Sequence, residues 1–167
     1  AELLKARPGV TPARLTTQSY GTGYDRLGDM HTDEMWARIS MASQQVMEKT
    51  PTRLLIPAGT AIQNARYTAL DRFGKAGHLV YDGYHLHEGI APLIEGLCAA
   101  QVVMKHYGVD VDVEKSRLRI TPEWRKERRT PEPHGEPEPA TDEDYSLAYR
   151  SVKWALASPW QLTVIEK

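Results

Sequence analysis

The segment Asp82-Gly83-Tyr84-His85 places an acid three residues before a histidine, in a stretch that also contains a glycine. Within one tight turn, the carboxylate can accept a hydrogen bond from one ring nitrogen and stabilise the protonated imidazole. The other ring nitrogen is then free to take a proton from a hydroxyl nucleophile. The spacing therefore indicates an orienting acid, Asp82, and a general base, His85. The alternative is a loop aspartate that caps a helix, followed by a partly buried histidine.

The same segment offers metal ligands, because His87 and Glu88 follow His85 closely. At the mouth of a helix, however, His85 and His87 would point about 200° apart, whereas a metal site needs both rings aimed at one ion. We therefore expect neither a metal ion nor an organic cofactor. A small metal-binding protein that uses Asp82, His85 and His87 is kept as an alternative.

A second polar cluster lies in IPAGTAIQNAR, residues 56–66, directly after a short apolar run. A strand that stops at the proline, a bend at Gly59 and the polar residues Gln63, Asn64 and Arg66 would bring side chains to the carboxyl end of a sheet. Ligand crevices of open α/β sheets lie at that edge. The pattern alone favours the alternative, a helix cap followed by solvated polar residues.

Helix and strand signals alternate around these two clusters. Apolar periodicity predicts a helix of about five turns that begins at Thr32 and ends before Pro51, and then a buried strand over 53–57. A helix is also predicted from Ile90 to a cap at Gly108. A helix followed by a buried strand is half of an α/β unit.

Other segments carry weaker signals. The Thr-rich residues 14–19 are predicted to form a short strand, residues 60–70 a short helix after the Gly59 bend, and the last helix runs from about Asp142 and stops at Pro159.

Three regions follow from these elements. Residues 1–109 are predicted to form a partial α/β domain, and residues 110–144 an extended arm and a linker rich in proline and glutamate. Residues 145–167 hold a terminal helix that packs back on the domain. Ala1–Lys5 resemble the middle of a helix, which favours a chain that begins inside an element.

Composition excludes several classes of protein. The chain has 167 residues with 21 Lys and Arg and 22 Asp and Glu, a net charge of −1, which argues against a strongly basic nucleic-acid binder. Its single cysteine, Cys98, cannot form an internal disulfide. The apolar stretches are much shorter than the roughly 20 residues that a bilayer requires, so we predict no membrane span.

Taken together, IPAGTAIQNAR and DGYHL, residues 82–86, resemble the carboxyl-terminal half of the SGNH (GDSL-like) hydrolases. They are most similar to a poorly characterised branch that carries an IPxGTAIQNxR block before DGxHL. The likeness is close over residues 54–94, and looser over the rest of 1–109 and over 145–160. It implies an α/β protein, the carboxyl-terminal part of a flavodoxin-like three-layer α/β/α sandwich with a parallel sheet.

The resemblance also implies an activity and a site. The family comprises serine hydrolases that act on esters, often acyl groups on carbohydrates, and Asp82 and His85 match its orienting acid and general base. Four block residues, at the expected sheet edge, are candidates for contact with substrate. With Tyr84, which could stack on a sugar ring or simply pack, the candidates for substrate binding are Gly59, Gln63, Asn64, Arg66 and Tyr84.

The family's nucleophilic serine and oxyanion-hole residues have no counterpart in this sequence. Gly28-Asp29-Met30 mimics the nucleophile motif but has methionine in place of serine. The remaining serines lack the strand–turn context of a nucleophile: Ser19, Ser40, Ser43, Ser116, Ser146, Ser151 and Ser158.

We therefore expect the carboxyl-terminal segment of an ester hydrolase, or a degenerate protein that has lost the activity. Its expected partners are an ester substrate, such as an acylated carbohydrate, and a missing amino-terminal half or another chain. The residues do not indicate a compartment, although the resemblance suggests a periplasmic or secreted protein. The alternative from another class is a non-catalytic carbohydrate-binding or interaction module.

Overall fold

The computed structural model describes residues 5–21, 24–25, 28–73, 79–87, 89–115, 119 and 139–163. The elements in chain order are β1 (Ala13–Leu15), α1 (Thr32–Lys49), β2 (Leu54–Ile56), α2 (Ala58–Arg66), a 3₁₀ helix (Ala69–Arg72), α3 (Ile90–His106) and α4 (Asp142–Ala157). The described chain is therefore an α/β protein with a small parallel sheet and several helices.

The two strands form a parallel pair in which Ala13 lies opposite Leu54 and Leu15 lies opposite Ile56. The intervening helix α1 makes the crossover that a parallel pair requires. One further hydrogen bond, from the N–H of Thr16 to the carbonyl of Ile56 at 3.0 Å, extends the pairing beyond β1. Because the strands are parallel, both carboxyl ends lie at the same edge of the sheet.

Strand β1 is shorter than the predicted strand over 14–19, and it begins one residue earlier. After Leu15 the chain leaves β2 and turns to helix α2 instead. Thr16 marks this change, because both its carbonyl and its hydroxyl accept hydrogen bonds from the N–H of Gly59, at 3.0 and 3.1 Å. Ser19, later in the same stretch, is also bonded to helix α2, through Gln63 and Arg66.

The predicted bend at Gly59 is wrong, because helix α2 begins at Ala58 and includes Gly59. Proline at the preceding position, Pro57, is the N-cap. Glycine is required at this position because there is no room for a side chain: a Cβ at residue 59 would lie 2.1 Å from the carbonyl oxygen of Thr17. The glycine therefore lets the helix backbone contact the segment after β1 directly.

The predicted helices around Thr32–Lys49, Ile90–His106 and Asp142–Ala157 are confirmed, with small changes at their ends. Helix α1 is capped by His31, whose Nδ1 accepts from the N–H of Asp33 at 3.3 Å, and not by Thr32. Helix α4 begins with a capping box formed by Thr141 and Asp144.

Helix α2 is the centre of the core, because all nine of its residues are buried. It packs against α3 and α4, and the contact includes Ile62, Ile94 and Val152, each 1% exposed or less. The predicted Pro- and Glu-rich linker lies largely outside the described residues. None of the described helices is long and apolar enough to cross a membrane.

Candidate active site

A closed turn carries the predicted acid and base. Val80 and Leu86 form an antiparallel bridge, and the N–H of His87 donates to the carbonyl of Leu79 at 2.8 Å. At the tip, Gly83 has a φ of +84°, in the left-handed region that favours glycine. The sequence therefore folds residues 80–86 into a turn tight enough to bring positions 82 and 85 together.

Asp82 and His85 are in direct contact, as their spacing predicted. Oδ2 of Asp82 lies 2.7 Å from Nδ1 of His85. Oδ1 accepts two backbone hydrogen bonds, from the N–H of His85 at 2.7 Å and from that of Tyr84 at 2.9 Å. The carboxylate is thus fixed by three donors within four residues of chain.

These contacts shift the acidity of Asp82. Desolvation alone would raise the pKa of its carboxyl, but the hydrogen bonds from the His85 ring and from the N–H groups of His85 and Tyr84 outweigh it. The net effect lowers the pKa of Asp82 to about 2. The carboxylate is therefore ionised at neutral pH and accepts the Nδ1 proton of His85, which leaves the lone pair of the neutral ring on Nε2.

The His85 ring lies between two tyrosines and is open to solvent. Its side chain is 56% exposed. The Tyr81 ring is stacked with it, at a centroid distance of 5.6 Å and an interplanar angle of 13°, and the Tyr84 ring meets it edge-on, at 4.4 Å and 70°. Within the described part of the chain, no hydrogen bond to Nε2 of His85 is found. Nε2 thus belongs to a largely exposed ring and has no hydrogen-bond partner among the described residues.

The segment after β1 places this turn beside the carboxyl ends of the strands. Gln18 donates through Nε2 to the carbonyl of Tyr84 at 3.3 Å, and the N–H of Gly21 donates to the carbonyl of Gly83 at 2.7 Å. Residues 16–21 therefore connect the sheet edge to the acid–base turn. This edge is where open α/β sheets bind their ligands.

Two residues of the IPAGTAIQNAR block hold the same segment from its buried side. Arg66 donates to the carbonyl of Ser19 at 2.9 Å and also to the hydroxyl of Ser19. That hydroxyl donates to Oε1 of Gln63 at 2.7 Å, and Arg66 donates to the same oxygen at 2.8 Å. Because Ser19 is buried and fully engaged here, it does not resemble an activated nucleophile.

The network continues to the start of helix α1. Gln63 donates through Nε2 to Oδ1 of Asp33 at 2.6 Å and to the hydroxyl of Thr32 at 3.1 Å, and Tyr67 donates to Oδ2 of Asp33. Burial and the neighbouring Asp33 raise the pKa of Tyr67 to about 12. Burial lowers the pKa of Arg66 to about 10, although nearby Asp71 and Asp33 oppose the shift. Arg66 therefore remains charged at neutral pH.

Two further block residues anchor the end of the described chain. The hydroxyl of Thr60 donates to the carbonyl of Pro159 at 2.7 Å, and Oδ1 of Asn64 accepts from the N–H of Thr163 at 2.9 Å. Asn64 is completely buried. The polar residues of helix α2 thus contact three separate parts of the chain: the segment after β1, the start of α1 and the end of the described chain.

The predicted site residues consequently form two groups. Asp82, Tyr84 and His85 lie together at the surface. The other four are buried and contact protein, namely Gly59, Gln63, Asn64 and Arg66.

The residues of the metal alternative do not converge. His85 contacts Asp82, whereas the His87 ring lies against Phe73, at a centroid distance of 6.4 Å. Across the ranges that the structure describes, no group of three His, Cys, Asp or Glu side chains could hold a metal ion. Glu88, the remaining candidate ligand, lies outside those ranges.

Sequence reasoning missed the anchoring residues Ser19 and Asp33. The pattern gave Ser19 only as a serine without the context of a nucleophile, and it gave Asp33 no role in the site. Their partner Gln63 is 44 residues from Ser19 and 30 residues from Asp33. No local pattern could have revealed contacts over such separations.

Comparisons with known proteins give one family and one fold. A family sequence model described as a domain of unknown function (DUF4886) matches residues 16–118, which include the acid–base turn and helix α2. No curated protein matches the sequence.

A crystal structure of a DUF4886 family protein from Bacteroides uniformis ATCC 8492 is similar, with a TM-score of 0.73 and 19% identity. The match covers 98% of this chain and 55% of that one. This chain therefore shares the fold of that protein and spans about half its length.

Proposed function

The chain belongs to the DUF4886 family, and we propose that it supplies the acid–base half of a serine ester hydrolase of the SGNH type. The observation that carries the proposal is the contact between Asp82 and His85 at 2.7 Å, in a turn that leaves Nε2 of His85 open at the carboxyl edge of the sheet. An ionised carboxylate on Nδ1 and an accessible Nε2 are what a general base for a hydroxyl requires.

In the proposed reaction the nucleophile is a serine outside these 167 residues. Nε2 of His85 takes the hydroxyl proton as the serine oxygen attacks the ester carbonyl. Asp82 stabilises the imidazolium, which returns the proton to the leaving alcohol as the acyl-serine forms. Water, deprotonated by the same nitrogen, then releases the acid and restores the serine. The oxyanion donors also come from outside this chain.

The finer fold that we propose is the carboxyl-terminal part of a flavodoxin-like three-layer sandwich. Its support is the parallel β1–α1–β2 unit and the open outer edge of β1. Among the described residues β1 pairs with β2 alone, and Leu15 at its end is 40% exposed. We propose that the amino-terminal half of the same protein adds strands at this edge and brings the nucleophile to His85.

We propose a supporting role for four of the predicted substrate-binding residues. Gln63 and Arg66 hold the segment that carries the acid–base turn, Asn64 holds the end of the described chain, and Gly59 permits the close approach of helix α2. Their burial and their protein partners favour this role over contact with an ester. Tyr84, at the surface, is the remaining candidate for substrate contact.

The proposal is tested by hydrolysis of an aryl acetate. The protein is expressed with the upstream coding sequence, and His85→Ala is compared with His106→Ala, an exposed histidine in the last turn of α3. General-base catalysis contributes about 10²- to 10⁴-fold, so His85→Ala should lower kcat by at least about 10²-fold, whereas His106→Ala should not. Equal turnover in the two variants would reject the assignment of His85.

A carbohydrate-binding module is the second candidate, and one observation favours it. Tyr20, Tyr24 and Tyr84 form a cluster with centroid distances of 4.7–5.8 Å at the partly exposed edge of the site. Aromatic side chains of this kind bind sugars through their faces. Oligosaccharide binding that survives His85→Ala but fails in Tyr84→Ala, in a protein that does not hydrolyse esters, would favour this candidate.

A further inference from the structure

We propose that Tyr84 is a positioning residue for the His85 imidazole, and that Tyr20 and Tyr24 hold the Tyr84 ring in place. The functional consequence rests on the proposed role of His85 as a general base. The structural part of the proposal, a ring held in one orientation by its aromatic neighbours, can be tested without any substrate.

Tyr84 is fixed by its backbone as well as by its ring. Its N–H donates to Oδ1 of Asp82 at 2.9 Å, and its carbonyl accepts from Gln18 at 3.3 Å. The side chain leaves the turn between these two fixed points. The position of the ring is therefore set by residues on both sides of the site.

The ring of Tyr84 packs against two tyrosines from the segment after β1. Tyr20 meets it edge-on at 4.7 Å, and Tyr24 stacks on it at 5.8 Å with an interplanar angle of 15°. Tyr24 also lies over the turn itself, because a Cβ at Gly83 would be 3.1 Å from its ring. The Tyr84 ring is thereby held by two rings from another segment of the chain.

The Tyr84 ring also makes an edge-on contact with the imidazole of His85, at a centroid distance of 4.4 Å. Tyr81 stacks on the imidazole at 5.6 Å. One hydrogen bond to Asp82 fixes a single atom of the imidazole, and the ring can still rotate about that contact in an exposed loop. Two aromatic neighbours restrict this rotation and so keep Nδ1 on the carboxylate and Nε2 outward.

The test measures the tautomer of His85 in the 167-residue chain, by imidazole ¹⁵N NMR of the neutral ring. The wild type should show the proton mainly on Nδ1, because that nitrogen faces the carboxylate. Tyr84→Leu removes the aromatic contact and should at least double the minor tautomer. Tyr84→Phe keeps the ring and should restore the wild-type ratio. Thermal unfolding of each variant confirms that the fold is retained.

Tyr107→Leu is the matched control. Tyr107 is 77% exposed and contacts the ring of His106 instead. The Tyr107→Leu variant should leave the tautomer ratio of His85 unchanged. If the tautomer ratio of His85 in Tyr84→Leu equals that in the wild type and in Tyr107→Leu, the positioning role is overturned.

The functional readout separates this inference from the proposed function. In the protein with its upstream half, Tyr84→Leu should lower kcat for the aryl acetate about tenfold with an unchanged KM, since misplacement of a catalytic group slows the chemical step. A raised KM with an unchanged kcat would instead assign Tyr84 to substrate contact and reject the positioning role. Tyr84→Phe should restore kcat. A wild-type protein that hydrolyses no ester would defeat the proposed function, whereas the NMR result would still decide the role of Tyr84.

Discussion

Arg66 donates a hydrogen bond of 2.9 Å to the backbone carbonyl of Ser19 and so ties the buried helix α2 to the segment beside the acid–base turn. The two residues are 47 positions apart in the sequence. Through Gln18 and Gly21, the same segment contacts the turn that holds Asp82 and His85. The buried polar block and the exposed acid–base pair are therefore parts of one connected structure.

Replacing Arg66 should destabilise the fold. Hydrogen bonds to charged groups contribute about 1.5–3 kcal/mol each, and Arg66→Met leaves the carbonyl of Ser19 and the amide oxygen of Gln63 short of a donor. We expect Arg66→Met to lower the free energy of unfolding by about 3 kcal/mol or more, measured by urea denaturation.

Arg38→Met is the control, because Arg38 pairs with Glu34 in an exposed i,i+4 contact. Such pairs contribute about 0.3–0.5 kcal/mol. Similar losses in both variants would contradict the anchoring role of Arg66.

Gly59 and Gly96 both lie in helices, and we expect replacement by alanine to have opposite effects on stability at the two positions. A Cβ at Gly59 would lie 2.1 Å from the carbonyl oxygen of Thr17, whereas a Cβ at Gly96 would meet nothing within 4 Å. Gly96→Ala should stabilise the chain by about 0.5–1 kcal/mol through helix propensity. Gly59→Ala should lower the melting temperature, and equal melting temperatures in the two variants would contradict the close approach of α2 to residues 16–17.

The acidity of Asp82 depends on the ring of His85. The folded-state pKa of about 2 lies below the ordinary value of 3.8. The ionised carboxylate therefore stabilises the folded chain above about pH 3.8, and this contribution disappears as the pH falls through about 2. In His85→Ala the ring donor is lost, so the pKa of Asp82 should rise towards 3.8.

Carboxyl ¹³C NMR follows this change directly. Asp112 is an internal control, because its pKa is lowered mainly by Lys115 and does not depend on His85. Its titration should be the same in both proteins. If the pKa of Asp82 is the same in His85→Ala as in the wild type, the ring does not bind the carboxylate in solution.

The outer edge of β1 should make the 167-residue chain associate with itself. Unpaired strand edges and exposed apolar residues favour association, and Leu15 and Val10, at 40% and 44% exposed, lie at and just before this strand. Sedimentation velocity should show concentration-dependent oligomers. Leu15→Lys should reduce them, and Trp154→Lys, at an exposed position of helix α4, should not. A monomer at all concentrations would contradict an open edge.

Local patterns predicted most of the elements that position the site. Helices α1, α3 and α4 follow from apolar periodicity, and the acid–base contact follows from a spacing of three residues around a glycine. The burial of Gln63 and Arg66 could not be predicted, since polar residues after a strand resemble a solvated helix face. Their hydrogen-bond partners include Ser19 and Asp33, which are distant in sequence and come from different parts of the chain.

The sequence pattern also failed to predict the length of β1. Thr-rich residues favour strands, and Thr16 still donates its N–H to the carbonyl of Ile56 in β2, but its own carbonyl accepts from the N–H of Gly59 in helix α2. The group that competes with the strand for Thr16 is the first turn of helix α2, where the sequence predicted a bend at Gly59. Tertiary contact thus overrides strand propensity after Leu15.

The rate at which a fluorophosphonate labels the protein with its upstream half tests the central claim most directly, because it reports activation of the serine itself. If His85, oriented by Asp82, deprotonates that serine, His85→Ala should slow labelling by about 10²-fold or more, Asp82→Asn should slow it substantially, and His106→Ala should match the wild type. Labelling of His85→Ala at the wild-type rate would contradict the account.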